Sequence, residues 1–280
     1  MPDRPSRILI VGTGRLAEVL ARASVRAAPS SEVAILGRNP VARDNLLASI
    51  PGLLPGSVAF ASRAELIVLA VLPQAYRDVV LSLAPHLSPS AIVTSVTNGV
   101  ALDEIGHWTR NPVVKVIPTI AQSIGRGSAP VVAGPRATPG DLALVSGWLG
   151  GFSLPVAVEE QDIRLASNVS GSAVAIVARF ARAFVDANAR RSSSLGRSAL
   201  DAMMAETLVA VGELMRAGVD FEQAVEATAT PGGVTEAMLR PLAASVDALC
   251  RDMVDAGFSQ QALMQGGTLP ADGDGPVAAT

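Results

Sequence analysis

The sequence of 280 residues contains one cysteine and two histidines, and aromatic residues make up only 3% of it. A lone Cys250 excludes a disulfide framework within the chain. Its place on the amphipathic last predicted helix favours a packing role over a nucleophilic one. His86 and His107 have no second ligand at metal-binding spacing, so we expect no metal site.

Charged residues are also scarce, at 17%, and the net charge of −3 provides no basic field. Direct binding to nucleic acid or to an anionic membrane surface is therefore not expected. The longest apolar runs, such as "LIVLAVL", are too short to span a bilayer, and "MPDRPSRILIVG" lacks a signal-peptide core. These absences predict a cytoplasmic protein without a membrane partner.

A dinucleotide fingerprint follows the first predicted strand, Arg7–Val11, and leads into an Ala- and Leu-rich helix. Gly12 permits a tight turn, Gly14 lets a pyrophosphate approach the backbone, and Ala17 lets helix and strand pack closely. The motif G-x-G-x-x-A alone is weak, but this strand-to-helix context strengthens it. The cofactor contacts expected from the motif are Gly12, Thr13, Gly14, Arg15 and Leu16.

Hydrophobic residues make up 49% of the chain, enough for about two domains with separate cores. Further strand-like runs alternate with helical stretches: "EVAILG", "SVAFA", "LIVLAV", "AIVTSV", "VVKVIP" and "PVVAG". This alternation predicts an α/β fold, with an N-terminal Rossmann-type doubly wound parallel sheet over residues 1–155. After "GFSLPVAV" the pattern turns helical, so residues 156–264 are predicted to form an all-α domain, followed by a flexible tail over 265–280.

The end of the second predicted strand indicates which nucleotide is bound. An NAD enzyme places an acidic residue there, whereas this chain has Gly37, Arg38 and Asn39, and Glu32 lies at the opposite end of the strand. Arg38 can pair with a 2′-phosphate and Asn39 can donate to it. We therefore expect NADPH, the alternative being that Arg38 only solvates the turn before Pro40.

The helical part contains a segment that is apolar on nearly every side. Such a helix is usually buried, and here we expect burial against a second chain, which predicts a homodimer or a higher homo-oligomer. The face that indicates this comprises Leu200, Met203, Met204, Thr207, Leu208, Val211 and Met215.

Near the end of the chain, "TATPGGVTEAML" places a Pro-Gly-Gly turn directly before a predicted helix. The apolar face of that helix is formed by Met238, Leu242, Val246, Leu249 and Met253. Free backbone N–H groups and the positive end of the helix dipole would suit a carboxylate or phosphate. The alternative is an ordinary helix start capped by Thr230 or Thr235.

Several segments together resemble pyrroline-5-carboxylate reductase over residues 7–258. They are "GTGRLA", "LIVLAVLPQ", "TSVTNGV", "KVIPTIAQSIGRG", "EEQDIRLASNVSGSAVAI" and "TATPGGVTEAML". The resemblance implies reduction of a cyclic imine carboxylate by hydride from NAD(P)H, on a dimer whose helical domains interlock around the substrate site. It also implies further cofactor contacts at Ala70, Val71, Pro73, Asn98 and Pro118.

The same resemblance assigns the Pro-Gly-Gly turn to the substrate. Thr235 would be catalytic, since its hydroxyl would orient the ring nitrogen while the turn's N–H groups hold the carboxylate. No strong protein base is required, because an iminium is already an electrophile. The implied substrate-binding residues are Ser172, Thr230, Gly232, Gly233 and Val234.

Departures from the family pattern leave the substrate and the activity open. Leu72 replaces a lysine, Thr119-Ile120-Ala121 replaces Asn-Thr-Pro, Ala173–Ile176 replaces Gly-Pro-Ala-Tyr, and Pro241 is expected to kink the last helix. The substrate can thus be pyrroline-5-carboxylate, as in the enzyme of proline biosynthesis, or a related imine of a specialised pathway. The chain can also be a non-catalytic NADP-binding homologue or a carbonyl reductase, although a ketone would need a Lys or His proton donor that we do not find.

Overall fold

The computed structural model describes residues 4–192 and 194–264, which form two compact units. The first consists of residues 4–172 with 261–264, and the second of Ala173–Gln260. The first unit continues past the boundary expected at residue 155, because Glu160 bonds to Lys115 and Ser167 to Asn98. The tail expected at 265–280 lies outside the described residues.

The first unit is built on an eight-stranded sheet in the order β3-β2-β1-β4-β5-β6-β7-β8. The strands are β1 Arg7–Val11, β2 Glu32–Leu36, β3 Leu53–Pro55, β4 Leu66–Leu69, β5 Ile92–Ser95, β6 Val113–Val116, β7 Ser128–Ala133 and β8 Leu154–Ala157. All neighbouring pairs are parallel except β6 and β7. The Rossmann-type α/β prediction is confirmed, with this one antiparallel pair as a departure from a fully parallel sheet.

Helices cover both faces of the sheet. They are α1 Arg15–Ala27, α2 Pro40–Ser49, α3 Val58–Ala61, α4 Tyr76–Leu83, α5 Leu102–Trp108, α6 Pro139–Leu149 and α7 Ile163–Ser167. Alternate residues of β1 enter opposite cores: Ile8 and Ile10 pack on the α1 and α6 side, and Leu9 and Val11 on the α4 side. Burial on both faces explains why strands such as "RILIV" and "LIVL" are continuously apolar.

The strand predicted at "SVAFA" is wrong, because this segment forms the short helix α3. The Ser57 hydroxyl accepts a hydrogen bond from the Phe60 amide at 3.1 Å and so caps the helix. The strand of this region, β3, comes earlier and ends at Pro55, immediately before Gly56. A local capping signal therefore overrides the apolar, strand-like composition.

The second unit is helical. Its helices are α8 Ala173–Ala189, α9 Arg197–Arg216, α10 Phe221–Thr228, α11 Val234–Ala243 and α12 Val246–Met264. The single helix predicted after the Pro-Gly-Gly turn is wrong, because α11 ends at Ala243 and α12 begins at Val246. Pro241 lies inside α11 and has no N–H to donate, so the helix lacks one internal hydrogen bond in its last turn.

Helix α9 is exposed in the single chain, and no residue of it is buried. Met203 is 58% exposed and Val209 56%, although such side chains normally lie inside a protein. Cys250, expected to pack, is also exposed. Among the described residues, no helix is both long and apolar enough to cross a membrane.

Candidate functional site

The turn after β1 has a conformation that only glycine adopts readily. Gly12 has φ of +127°, and a Cβ added there would lie 2.2 Å from the Ala70 carbonyl oxygen. The Gly12 amide donates to the Leu36 carbonyl at 2.8 Å, which joins the ends of β1 and β2. These contacts confirm a tight turn at Gly12 and fix where α1 begins.

Gly14 is the N-cap of α1, and no side chain of the described chain caps this helix. A Cβ at Gly14 would meet nothing within 4 Å, so the backbone here faces open space. The first amides of a helix have no intrahelical acceptor and lie at the positive end of its dipole. The helix start is therefore suited to a phosphate group.

This helix start opens into a cavity of about 880 Å³, within the usual size for ligand sites of about 300–1,000 Å³. It extends from the end of β2 to that of β5, three strand spacings or about 14 Å. An extended dinucleotide suits such a cleft at the carboxyl edge of the sheet. Nine predicted cofactor residues line it: Gly12, Thr13, Gly14, Arg15, Leu16, Arg38, Asn39, Ala70 and Val71.

Pro73, Asn98 and Pro118, also predicted to contact the cofactor, are not among the residues that line the cavity. Pro73 begins a short 3₁₀ turn, Pro73–Ala75, and the residues on either side of Pro73, Leu72 and Gln74, line the cavity instead. The Asn98 amide nitrogen donates to the Ser167 hydroxyl at 2.8 Å, and its carbonyl oxygen is buried without a partner in the described chain. Asn98 thus ties the end of β5 to α7.

At the end of β2, Arg38 is exposed and lines the cavity. The Asn39 side-chain oxygen accepts from the Ala42 amide at 3.2 Å to cap α2, which leaves its NH₂ group to donate elsewhere. Glu32 lies at the other end of β2, where Arg7 binds its carboxylate at 2.8 Å. The structure therefore places no acid from β2 at the cavity.

Helix α4 supplies a cavity wall that the sequence patterns did not predict. Asp78 and Ser82 are four residues apart and line the same side, together with Val79 and Leu83. Thr97 lines the cavity at the end of β5. The signal was present in the sequence, since polar residues at i and i+4 share one helix face.

Buried polar groups hold the strands beneath the cavity. The Tyr76 hydroxyl donates to the Leu69 carbonyl at 2.6 Å and accepts from the Val96 amide at 3.2 Å, and burial raises the pKa of this phenol. Desolvation lowers the pKa of the buried Lys115, whose amine lies 3.3 Å from the Glu160 carboxylate. The Tyr76 contacts join the ends of β4 and β5, and the Lys115 contact joins β6 to the turn that begins at Glu160.

A π-helical turn, Asn168–Ser172, follows α7 and ends the first unit. Such turns often occur at functional sites. A Cβ at Gly171 would lie 3.6 Å from the Thr119 methyl group, so the turn packs beside the segment that follows β6. Ser172, predicted to bind substrate, lies at the exposed end of this turn.

The Pro-Gly-Gly turn lies in the second unit, and its glycine amides form hydrogen bonds that were not expected. Gly232 has φ of +73°, but its amide donates to the Glu236 carboxylate, and the Gly233 amide donates to the Thr230 carbonyl at 2.9 Å. The expectation that both glycine amides are free for a ligand is therefore wrong for this conformation. Val234 begins α11, so its amide has no intrahelical acceptor.

Neither Thr230 nor Thr235 caps α11. Gly233 is the N-cap, and no side chain of the described residues makes the capping hydrogen bond. Thr235 is the second residue of the helix and half-buried. The alternative that it serves only as a cap is therefore wrong.

Metal ligands are not assembled in this structure. Across residues 4–192 and 194–264, no group of three or more His, Cys, Asp or Glu side chains could hold an ion.

Two family models match different parts of the chain. The model described as "Pyrroline-5-carboxylate reductase dimerisation" matches residues 160–264. The model described as "NADP oxidoreductase coenzyme F420-dependent" matches residues 7–99, which include the fingerprint and Arg38. The predicted division into a dinucleotide-binding part and a helical dimerisation part is consistent with these matches.

Relatives of known name match along most of the chain. The pyrroline-5-carboxylate reductase of Mycobacterium tuberculosis is 28% identical over 264 residues, with 85% of this chain and 89% of that protein covered. The enzyme of Glycine max is 25% identical over 240 residues, with 84% and 87% covered.

Solved structures show the same fold. The Plasmodium falciparum pyrroline carboxylate reductase, with NADP bound, has a TM-score of 0.80 at 20% identity and covers 95% of this chain and 99% of its own. The Coxiella burnetii pyrroline-5-carboxylate reductase has a TM-score of 0.83 at 19% identity and covers 94% and 99%. The dimerisation model and the relatives above support membership of the pyrroline-5-carboxylate reductase family at low identity, and the chain shares the fold of these solved structures.

Proposed function

We propose that this chain is an NADPH-dependent oxidoreductase that reduces the C=N bond of a cyclic imine carboxylate, pyrroline-5-carboxylate or a related imine. The observation that carries the proposal is the glycine-lined cavity at the start of α1, in a chain that also has the family's dimerisation domain. NADPH, when bound, supplies the hydride. The protein's own task is to bind and orient the two reactants.

Different residues of the cavity would bind different parts of the cofactor. The first amides of α1 and the open backbone at Gly14 would hold the pyrophosphate. Arg38 and the free NH₂ group of Asn39 would hold the 2′-phosphate of NADPH, since both donate and Arg38 is cationic. Pro73, Asn98 and Pro118 would support the nicotinamide end from outside the lining.

Replacing Arg38 with glutamate is expected to weaken NADPH binding by about tenfold or more, the effect of losing one charge-assisted contact of ~1.5–3 kcal/mol. NADH has no 2′-phosphate, so its affinity should stay similar or improve. Titration of both cofactors by fluorescence measures this change. Arg110→Glu, a charge reversal at another exposed arginine that does not line the cavity, is the matched control. If Arg38→Glu changes the affinities for NADPH and NADH equally, Arg38 does not bind the 2′-phosphate.

The proposed substrate contacts come from the second unit, apart from Ser172, which is the last residue before it. Thr235 would orient the ring nitrogen through its hydroxyl, and the Val234 amide would donate to the carboxylate, with Thr230, Gly232, Gly233 and Ser172 completing the contacts. Thr235 is not committed to capping α11, which supports this role.

Assembly follows from the exposed face of α9. We propose a homodimer or a higher homo-oligomer that covers Met203, Leu208, Val209 and Val211, which are 40–58% exposed in the single chain. Val209→Asp is expected to shift the protein toward monomer in light scattering at micromolar concentration, while circular dichroism verifies that helices remain. Glu222→Lys, on an exposed position of α10, should leave assembly unchanged. A wild-type protein that is monomeric would contradict the proposal.

A related imine is the second candidate for the substrate. Leu72 is 67% exposed and lines the cavity, where the family pattern has a lysine. A panel of five- and six-membered cyclic imines, with and without a carboxylate, followed by NADPH absorbance, ranks the substrates. Binding of NADPH without reduction of any imine would favour a non-catalytic NADP-binding protein.

The remaining partners follow from charge and composition. We propose a small-molecule substrate, no nucleic-acid or membrane partner, and a cytoplasmic location. The net charge of −3 and the single cysteine support these assignments.

A further inference from the structure

The Pro-Gly-Gly turn already has a carboxylate bound to it, from the chain itself. Glu236 is the third residue of α11, and its side chain reaches back so that Oε2 accepts the hydrogen bond of the Gly232 amide. The other oxygen, Oε1, lies 3.7 Å from the Arg240 guanidinium. The Glu236 side chain is 44% exposed, so it is not locked in place by packing.

A substrate carboxylate at this turn would meet the Glu236 carboxylate. The Gly232 amide has one hydrogen to donate, and two carboxylates that share one site repel each other. Glu236 must therefore move away before a second carboxylate can accept from Gly232. Arg240, one helical turn further along α11, offers the displaced carboxylate a partner.

We propose that Glu236 is a specificity-determining residue, which lowers the preference of the enzyme for imines that have a carboxylate by competing for the Gly232 amide. The inference rests on the proposed function, in which the turn receives the substrate carboxylate. An imine without a carboxylate does not need the Gly232 amide, so Glu236 can stay in place when such a substrate binds. The ratio of kcat/KM for non-carboxylated imines to kcat/KM for carboxylated imines is therefore higher with Glu236 than it would be with a neutral residue at this position.

Glu236→Gln tests this inference, because glutamine keeps the length and an oxygen that can still accept from Gly232 but removes the charge. We expect the ratio of kcat/KM for pyrroline-5-carboxylate to that for 1-pyrroline, the same ring without the carboxylate, to rise about tenfold, or ~1.4 kcal/mol. The change should appear in the KM of the carboxylated imine, with kcat little altered. Glu222→Gln removes one exposed glutamate charge from α10 of the same unit and should leave the ratio unchanged.

A binding measurement separates this inference from the proposed function. Cyclopentanecarboxylate, which cannot react, should bind Glu236→Gln about tenfold tighter than wild type by calorimetry.

An unchanged substrate ratio and unchanged cyclopentanecarboxylate affinity in Glu236→Gln would overturn the inference. So would equal changes for both imines, because they would indicate a role of Glu236 only in the stability of the helix start. If no variant reduces any imine, the proposed function fails, and the cyclopentanecarboxylate measurement still decides the role of Glu236.

Discussion

Replacing Thr235 with alanine is expected to lower kcat/KM by about 10–1000-fold, while the affinity for NADPH stays close to that of wild type. The physical reason is the loss of the hydroxyl that positions the ring nitrogen. Because Gly233, not Thr235, is the N-cap of α11, the substitution removes no capping bond. The melting temperature should therefore change little, and kinetics and melting are measured on one preparation.

Thr235→Ser is the matched control, since serine keeps the hydroxyl and should recover much of the activity. Thr228→Ala is a second control, because the Thr228 hydroxyl bonds to the Ala224 carbonyl in α10 and has no proposed role at the site. Full turnover in Thr235→Ala, with or without a loss of stability, would remove Thr235 from the reaction.

Gly12→Ala is the second substitution with a large expected effect. The new Cβ would lie 2.2 Å from the Ala70 oxygen at a φ of +127°, so the ends of β1 and β4 must separate. Strain of about 1–3 kcal/mol corresponds to roughly 5–150-fold in NADPH affinity if the bound state bears it all. We expect a lower melting temperature together with weaker NADPH binding by fluorescence titration.

Gly14→Ala separates folding from binding at the same turn. Gly14 has φ of −81°, and a Cβ there meets nothing within 4 Å, so this variant should fold normally. Its methyl group would still project toward the proposed pyrophosphate and weaken NADPH binding. Gly140→Ala, in the first turn of α6, serves as the control for a Gly-to-Ala change away from the cavity. Wild-type NADPH affinity in both Gly12→Ala and Gly14→Ala would place the cofactor elsewhere.

Nine of the residues predicted to bind the cofactor line one cavity, because their positions depend on local backbone geometry. Gly12 lies in a tight turn, Gly14 at a helix start and Arg38 at the end of a strand. Each of these positions can be identified from a few neighbouring residues in the sequence. The apolar strands were recognised for the same reason, since burial on both faces leaves a continuous apolar run.

The remaining features depend on contacts that a single segment does not reveal. Ser57 caps α3 and turns an apolar run that resembles a strand into a helix. Asp78 and Ser82 face the cavity only because α4 packs beside the sheet edge, and Glu160 reaches Lys115 across 45 residues of sequence. The Glu236 contact was not predicted, although a glutamate three residues after an N-cap commonly bonds backward to the turn.

Transfer of deuterium from NADPH labelled at C4 of the nicotinamide to the product is the most direct test of the proposed reduction. We expect that pyrroline-5-carboxylate or a related cyclic imine, incubated with the protein and labelled NADPH, yields a cyclic amino acid. Mass spectrometry should detect deuterium at the former imine carbon of this product. Thr235→Ala should give the same labelled product much more slowly. If the protein binds NADPH tightly but no product of the imine panel contains deuterium, the proposed reduction of a cyclic imine is contradicted.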